Sequence, residues 1–255
     1  MSFSIIQDFY KRPPDHPSQN TFRMLNAMEP FFDSGCGGSF LDIACHDGEK
    51  TTALMRRISA DLTVGVDFEG AALARAHRRG IAAVAVDLNQ KASLPFPEAS
   101  FDCIHAGEII EHLFSPDALL REIHRLLKPS GYAVITTPNL ASWRNRIALL
   151  LGWQPFGTEV STEFHVGNPR AYRGVLPGHI RVFTARALRE LAGKYGLAVD
   201  RTAGIHSGVP NSLLTRITAA IDILVHSLSS SLSDTTLIRV SRTGRPDGEG
   251  AAGRS

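Results

Sequence analysis

The sequence has no long hydrophobic run: none of its segments reaches the roughly 18 consecutive apolar residues that a bilayer-spanning helix needs. Residues 1–12 also lack a basic start followed by an apolar stretch, so no secretory leader is read there. Cysteine is scarce. Cys36, Cys45 and Cys103 are an odd set without metal-site spacing, which argues against a disulfide framework and for free thiols in a reducing, cytoplasmic compartment. An excess of one charge is missing too. The 27 Lys and Arg against 25 Asp and Glu leave a net +2, so no summed field announces a nucleic-acid-binding protein.

What is present suits one sizeable core, because 43% of the 255 residues are hydrophobic and 20% charged. Between about residues 40 and 137 short apolar runs alternate with amphipathic stretches, the pattern of a parallel sheet covered by helices on both faces. Strands are expected at 40–44, 62–67, 81–87, 101–105 and 132–136, with helices at 49–59, 69–79 and 116–127. Ser115-Pro116 opens the last of these helices as N-cap and first-turn proline, and Lys128-Pro129-Ser130-Gly131 stops it.

Residues 1–19, with Pro13, Pro14 and Pro17, read as an extended arm before a leading helix at 21–32. Beyond residue 137 come a helix at 140–151, a long Gly- and Pro-containing stretch, and a helix at 184–195. Closing strands are expected at 197–202 and 235–241. The stretches at about 140–182 and 204–232 read as cap insertions in a domain spanning 20–243, the second carrying an apolar-striped helix at 212–228 that could dock on the domain or touch a membrane surface. Residues 244–255 read as a disordered tail.

In an open parallel sheet, ligands bind outside the carboxyl ends of the strands. Acids recur there: Asp42 starts the run Ala44-Cys45-His46-Asp47-Gly48, Asp67 ends the second strand before Phe68, and Asp87 ends the third before Leu88. With Leu94-Pro95-Phe96, Glu108-Ile109-Ile110-Glu111-His112, Leu127-Lys128-Pro129 and Thr137-Pro138-Asn139 in order, residues 20–202 resemble the class I S-adenosylmethionine-dependent methyltransferases. The resemblance implies a doubly wound, seven-stranded Rossmann-like α/β sheet. It also implies that the first loop, with Asp42, Ala44, Cys45, His46 and Gly48, wraps the methionine part of the cofactor, that Asp67 holds the ribose hydroxyls and Asp87 meets the adenine amino group, with Phe68, Leu88 and Glu108 among the cofactor-binding residues. One departure is visible: the family places glycines where this chain has Ala44 and His46.

Glu108, Glu111 and His112 sit at offsets of three and four, which on a helical turn would share one face and could converge on an ion. The Glu-x-x-Glu-His pattern is similar to one in small-RNA terminal 2′-O-methyltransferases and in some quinone-pathway O-methyltransferases. That resemblance implies a divalent metal (Mn, Mg, Fe or Zn) held by Glu108, Glu111, His112 and His179. The same His112, His179 and Glu111 are the catalytic candidates. Without a metal, either histidine could serve as general base.

The expected activity is methyl transfer to a hydroxyl of a small molecule such as a sugar, polyketide or quinone-like acceptor. A terminal RNA ribose and a non-catalytic cofactor-binding regulator are the other readings. A local excess of arginine (Arg144, Arg146, Arg170, Arg173, Arg181, Arg186, Arg189), interleaved with Trp143, Trp153, Phe156, Phe164 and Tyr172, could draw anionic or aromatic substrates.

Overall fold

The computed structural model describes residues 19–91, 93–168, 178–205 and 229–243. Most of the arm, Arg170, Tyr172, Arg173, the helix expected at 212–228 and the tail lie outside the described residues. Among the described residues no helix is long and apolar enough to cross a membrane.

The chain enters through α1 (Gln19–Met28) and a 3-10 turn (Glu29–Phe31), then alternates β1 (Ser39–Ile43), α2 (Glu49–Ile58), β2 (Leu62–Asp67), α3 (Gly70–Arg78) and β3 (Ala82–Ala85). The second half runs β4 (Phe101–Gly107), α4 (Pro116–Leu126), β5 (Leu127–Pro138), α5 (Trp143–Leu150), α6 (Ala185–Lys194), β6 (Leu197–Ile205) and β7 (Thr235–Arg242). These strands form one seven-stranded sheet in the order β3-β2-β1-β4-β5-β7-β6. All neighbours are parallel except β7, which runs antiparallel between β5 and β6. From β1 the chain winds outward to β3, then returns to place β4 beside β1. That reversal opens the crevice at their carboxyl ends.

Side chains of successive strand residues alternate between two cores. Phe40, Cys103, Val134 and Leu237 pack under Met28, Phe31, Phe32, Leu54 and Ile58, which come from the leading segment and α2. Leu41, Ile43, Ile104, Ile135 and Val240 face the opposite way, against Leu119, Leu120 and Ile123 of α4 and Leu188 of α6. Each such fully buried aliphatic side chain contributes about 1.5–3 kcal/mol. The caps follow the sequence. Ser115 Oγ accepts from Ala118 N at 3.2 Å, and Thr184 Oγ1 from Ala187 N at 3.1 Å.

Element lengths differ from expectation where neighbours decide them. β3 shrinks to four residues because it is the sheet edge, paired only to β2. β5 lengthens at both ends, since Leu127 already pairs with Phe101 and Pro138 with Thr235. α5 starts at Trp143 rather than at 140, because Ser142 is its cap, accepting from Asn145 N at 3.3 Å.

Candidate functional site

The loop after β1 turns sharply: Ala44 N and Cys45 N both donate to Val66 O, at 2.8 and 3.0 Å. Ala44 (φ 65°), His46 (φ 50°) and Gly48 (φ 77°) all adopt left-handed backbone. The chain has therefore kept the glycine-type shape at two positions where it has side chains, at a cost of roughly 1–2 kcal/mol each. Gly48 has no such freedom to change, since a Cβ there would lie 2.4 Å from Ile81 Cδ1 and 3.1 Å from Ala76 Cα. The His46 ring lies between two carboxylates, its nitrogens 3.6 Å from Asp47 Oδ1 and 3.6 Å from Glu69 Oε2. This partner holds the Asp47 carboxyl down at about 2, against its own burial. The Cys45 thiol is buried, and burial with the neighbouring acids pushes it far above the ordinary thiol range.

Asp67 stands at the end of β2, its Oδ2 accepting from His46 N at 2.8 Å and its Oδ1 from Glu69 N at 3.0 Å. Asp87 is fixed in the same way by Asn89 N and Gln90 Nε2, each at 2.9 Å. Each oxygen keeps capacity for a further donor. Phe68 is 41% exposed beside Asp67, whereas Leu88 packs against the main core. Asp42 is placed differently from these two acids. It is 2% exposed, and its oxygens are taken by the Thr51 hydroxyl and by His105 Nδ1.

Glu108 N still donates to Thr136 O at 2.9 Å, continuing the ladder with β5, and the backbone then turns through φ 55° into a 3-10 turn at Ile110–His112. The helical turn expected to align Glu108 with Glu111 and His112 does not form, because Glu108 is held by the sheet. Glu111, His112 and His179 do come together, one ligand atom from each lying within 4.8 Å of the others, and Glu108 is not in that group. His179 arrives because Ile180 N and Arg181 N both donate to Glu111 O, at 2.8 and 3.1 Å.

Both imidazoles are oriented by carbonyls: His112 Nδ1 lies 3.2 Å from Gly178 O, and His179 Nδ1 2.7 Å from Gly157 O. A carbonyl only accepts, so each Nδ1 carries the proton and each neutral ring keeps its lone pair on Nε2. Glu111 is fully buried, with Oε2 accepting from Thr137 Oγ1 at 2.9 Å and Oε1 lacking any hydrogen-bond partner. Burial first, and the charge of Glu108 second, push its carboxyl well above the usual range. Burial and the neighbouring His179 push His112 down to about 4. An orphaned carboxylate oxygen beside two imidazoles is a donor set that suits a divalent transition metal.

Several arginines singled out above have structural partners. Arg144 pairs with Asp234 at 2.7 Å and lies over the Trp143 ring, Arg186 pairs with Glu190 at 2.7 Å, and Arg181 donates to Leu113 O at 2.9 Å. Sequence reasoning missed His105, Thr51, Thr136 and Thr137. A lone histidine inside an apolar strand was the one available signal, and its meaning waits on the register that sets it opposite Asp42.

A family profile described as a methyltransferase domain matches residues 20–202. A probable S-adenosylmethionine-dependent methyltransferase of Mycolicibacterium smegmatis is 25% identical over 175 residues, 68% of this chain and 56% of that protein. A ubiquinone biosynthesis O-methyltransferase of Pseudomonas aeruginosa is 35% identical over 107 residues, 40% of this chain and 45% of that protein. The chain thus spans about half the length of these curated relatives. Among solved structures, a possible histamine N-methyltransferase of Thermotoga maritima superposes with a TM-score of 0.58 at 16% identity, covering 94% of this chain and 91% of that one. A putative methyltransferase in complex with the Haloferax volcanii Trm112 activator gives 0.60 at 17% identity, covering 88% and 89%. These two likenesses show the fold. With the family profile covering most of its length, the chain belongs to the class I S-adenosylmethionine-dependent methyltransferases.

Proposed function

We propose that the chain transfers a methyl group from S-adenosylmethionine to a hydroxyl of a small molecule, with a divalent ion at Glu111, His112 and His179. The observation that carries this reading is the buried Glu111 Oε1, without a hydrogen-bond partner and 3.9 Å from His112 Nε2, beside two imidazoles whose Nδ1 protons are already committed. The domain spans 20–243, with 140–182 and 204–232 as caps over the acceptor.

S-adenosylmethionine supplies the methyl group on a sulfonium centre. Asp67 binds the ribose hydroxyls through the lone pairs that its two backbone donors leave over, and Asp87 meets the adenine amino group in the same way. Ala44, Cys45, His46 and Gly48 lend backbone to the methionine part, and Phe68 and Leu88 flank the nucleoside. Glu108 directly follows β4 at the crevice end of the sheet, half-buried, and burial raises its carboxyl above the usual range.

An ion bound by the Glu111 group would lower the pKa of a coordinated hydroxyl and orient it for in-line attack. His112 fits the role of ligand better than that of general base, because an imidazole held down at about 4 stays neutral and binds protons poorly at pH 7. A ubiquinone-pathway O-methyltransferase among the relatives supports a hydroxyl acceptor.

The test is transfer of labelled methyl to a panel of sugar, phenol and quinol acceptors, with and without chelation. Transfer that disappears with EDTA and returns with Mn or Zn is the expected result. Full activity in EDTA removes the metal from the reading, and failure to bind S-adenosylmethionine by calorimetry removes the reading itself.

A further inference from the structure

α5 presents its apolar side to solvent. Its buried side holds Asn145 and Ala148, 3% and 1% exposed. The Asn145 amide is used there, since Nδ2 donates to Asn139 O and Phe156 O at 3.2 and 3.3 Å, and Oδ1 accepts from Phe156 N at 2.7 Å. On the opposite side Ile147, Leu150 and Leu151 are 46%, 85% and 54% exposed, at the three- and four-residue spacing that sets side chains in one stripe. An amphipathic helix of a folded domain ordinarily turns such a stripe toward the core.

The chain after α5 extends this apolar surface. Trp153 N donates to Ala148 O at 2.7 Å and Gln154 N to Gly167 O at 2.8 Å, so residues 152–168 double back against the end of the helix. That loop leaves Val160, Phe164 and Val166 exposed. Large exposed apolar patches are rare on monomeric domains and mark contact with a partner or a membrane. The same loop also supports the Glu111 group: Gly157 O accepts from His179 Nδ1 at 2.7 Å and Glu159 Oε2 from His179 N at 2.9 Å.

Charge selects the partner. α5 carries no carboxylate, and at about 100° per residue Arg144 and Arg146 come to lie on either side of the stripe. Arg144 pairs with Asp234, whereas Arg146 is exposed, spends its Nε on Ala141 O and forms no ion pair among the described residues. Glu163 is the one exposed carboxylate between residues 143 and 168. We propose that α5 and the 157–166 loop dock on an anionic lipid bilayer, with the leucines among the acyl chains and Arg146 at the level of the phosphates. A second copy of the chain fits this face less well, because a two-fold contact would bring the same arginines together with no carboxylate on the helix to meet them.

Sedimentation of the full chain with vesicles tests the docking. Vesicles of phosphatidylcholine with phosphatidylglycerol should carry the protein down, and vesicles of phosphatidylcholine alone should carry much less. Leu150→Gln, at a side chain that packs on nothing, should weaken binding about tenfold at an unchanged thermal midpoint. Arg146→Gln should reduce the preference for the anionic vesicles several-fold. Phe164→Ser should weaken binding as well, and it carries the test should the Leu150 variant fail to fold. No sedimentation with either vesicle, or equal sedimentation of the wild type and the folded apolar variants, overturns the docking. So does a dimer that Leu150→Gln dissociates while the wild type ignores vesicles. The docking stands apart from the methyl-transfer reading: a chain that sediments with vesicles and fails to bind S-adenosylhomocysteine by calorimetry loses that reading and keeps the docking.

Discussion

The imidazole rings of His112 and His179 lie 4.9 Å apart, and each has spent its Nδ1 on a backbone carbonyl of the loop that brings the pair together. Gly157 and Gly178 thus set the tautomer of both rings before any ligand arrives. Orientation of this kind is how outer partners tune a metal site.

Thr137 is the matching outer partner of Glu111, donating to Oε2 at 2.9 Å. Thr137→Val should reduce Mn affinity about 10-fold, in the range seen for outer-shell changes. Glu111→Gln and His179→Ala should lose more. Calorimetric titration with Mn ions checks all three, and equal affinities across the series would dissolve the proposed centre.

Relieving the first loop should stabilise the protein. Ala44→Gly removes a Cβ from a left-handed backbone at φ 65°. A gain of about 1 kcal/mol, reduced somewhat by the looser unfolded chain, would raise Tm by about 2–4 °C. Differential scanning calorimetry reads this directly. His46→Gly should gain less, because the ring's approaches to Asp47 and Glu69 are lost.

Gly48→Ala should act in the opposite sense. Its Cβ would be forced against Ile81 and the Ala76 backbone in a left-handed conformation. A loss of about 2 kcal/mol or more is expected from the combined strain and overpacking. Urea denaturation with an unchanged m-value would confirm a native-state effect.

His112 makes stability pH-dependent between about 4 and 6.5. The folded chain holds this imidazole at about 4 against an ordinary 6.5, so in that window the unfolded chain binds more protons. Stability should therefore rise with pH from 4 to 6.5 and level off above it. His112→Gln should flatten that part of the curve, measured as denaturation midpoint against pH in metal-free buffer.

Much of the architecture was legible because it is written in local periods. The apolar runs at 40–44 and 62–67 predicted their strands to within a residue, and Ser115-Pro116 marked the start of α4. Asp67 ends β2 as expected, since a strand's last residue is visible as the point where its apolar run stops, whereas Asp87 lies two residues beyond the short edge strand β3. The helical turn expected from Glu108 to His112 failed, because spacing alone cannot show that Glu108 N is still paired with β5. The role of Asp42 changed for a similar reason: its partners Thr51 and His105 are reached through a helix turn and a strand register rather than through sequence distance.

By itself the amino-acid order determined the seven strands, the helices between them among the described residues, and the family, since hydrophobic period, turn chemistry and motif spacing act over a few residues. Tertiary structure alone decided which of the residues able to do chemistry meet. Glu111 joins His179 through two backbone hydrogen bonds from a distant loop, and His105 joins Asp42 through the parallel register of β4 on β1. Both contacts are closed by chain segments far apart in sequence, where side-chain burial and ladder pairing, not local preference, set the geometry.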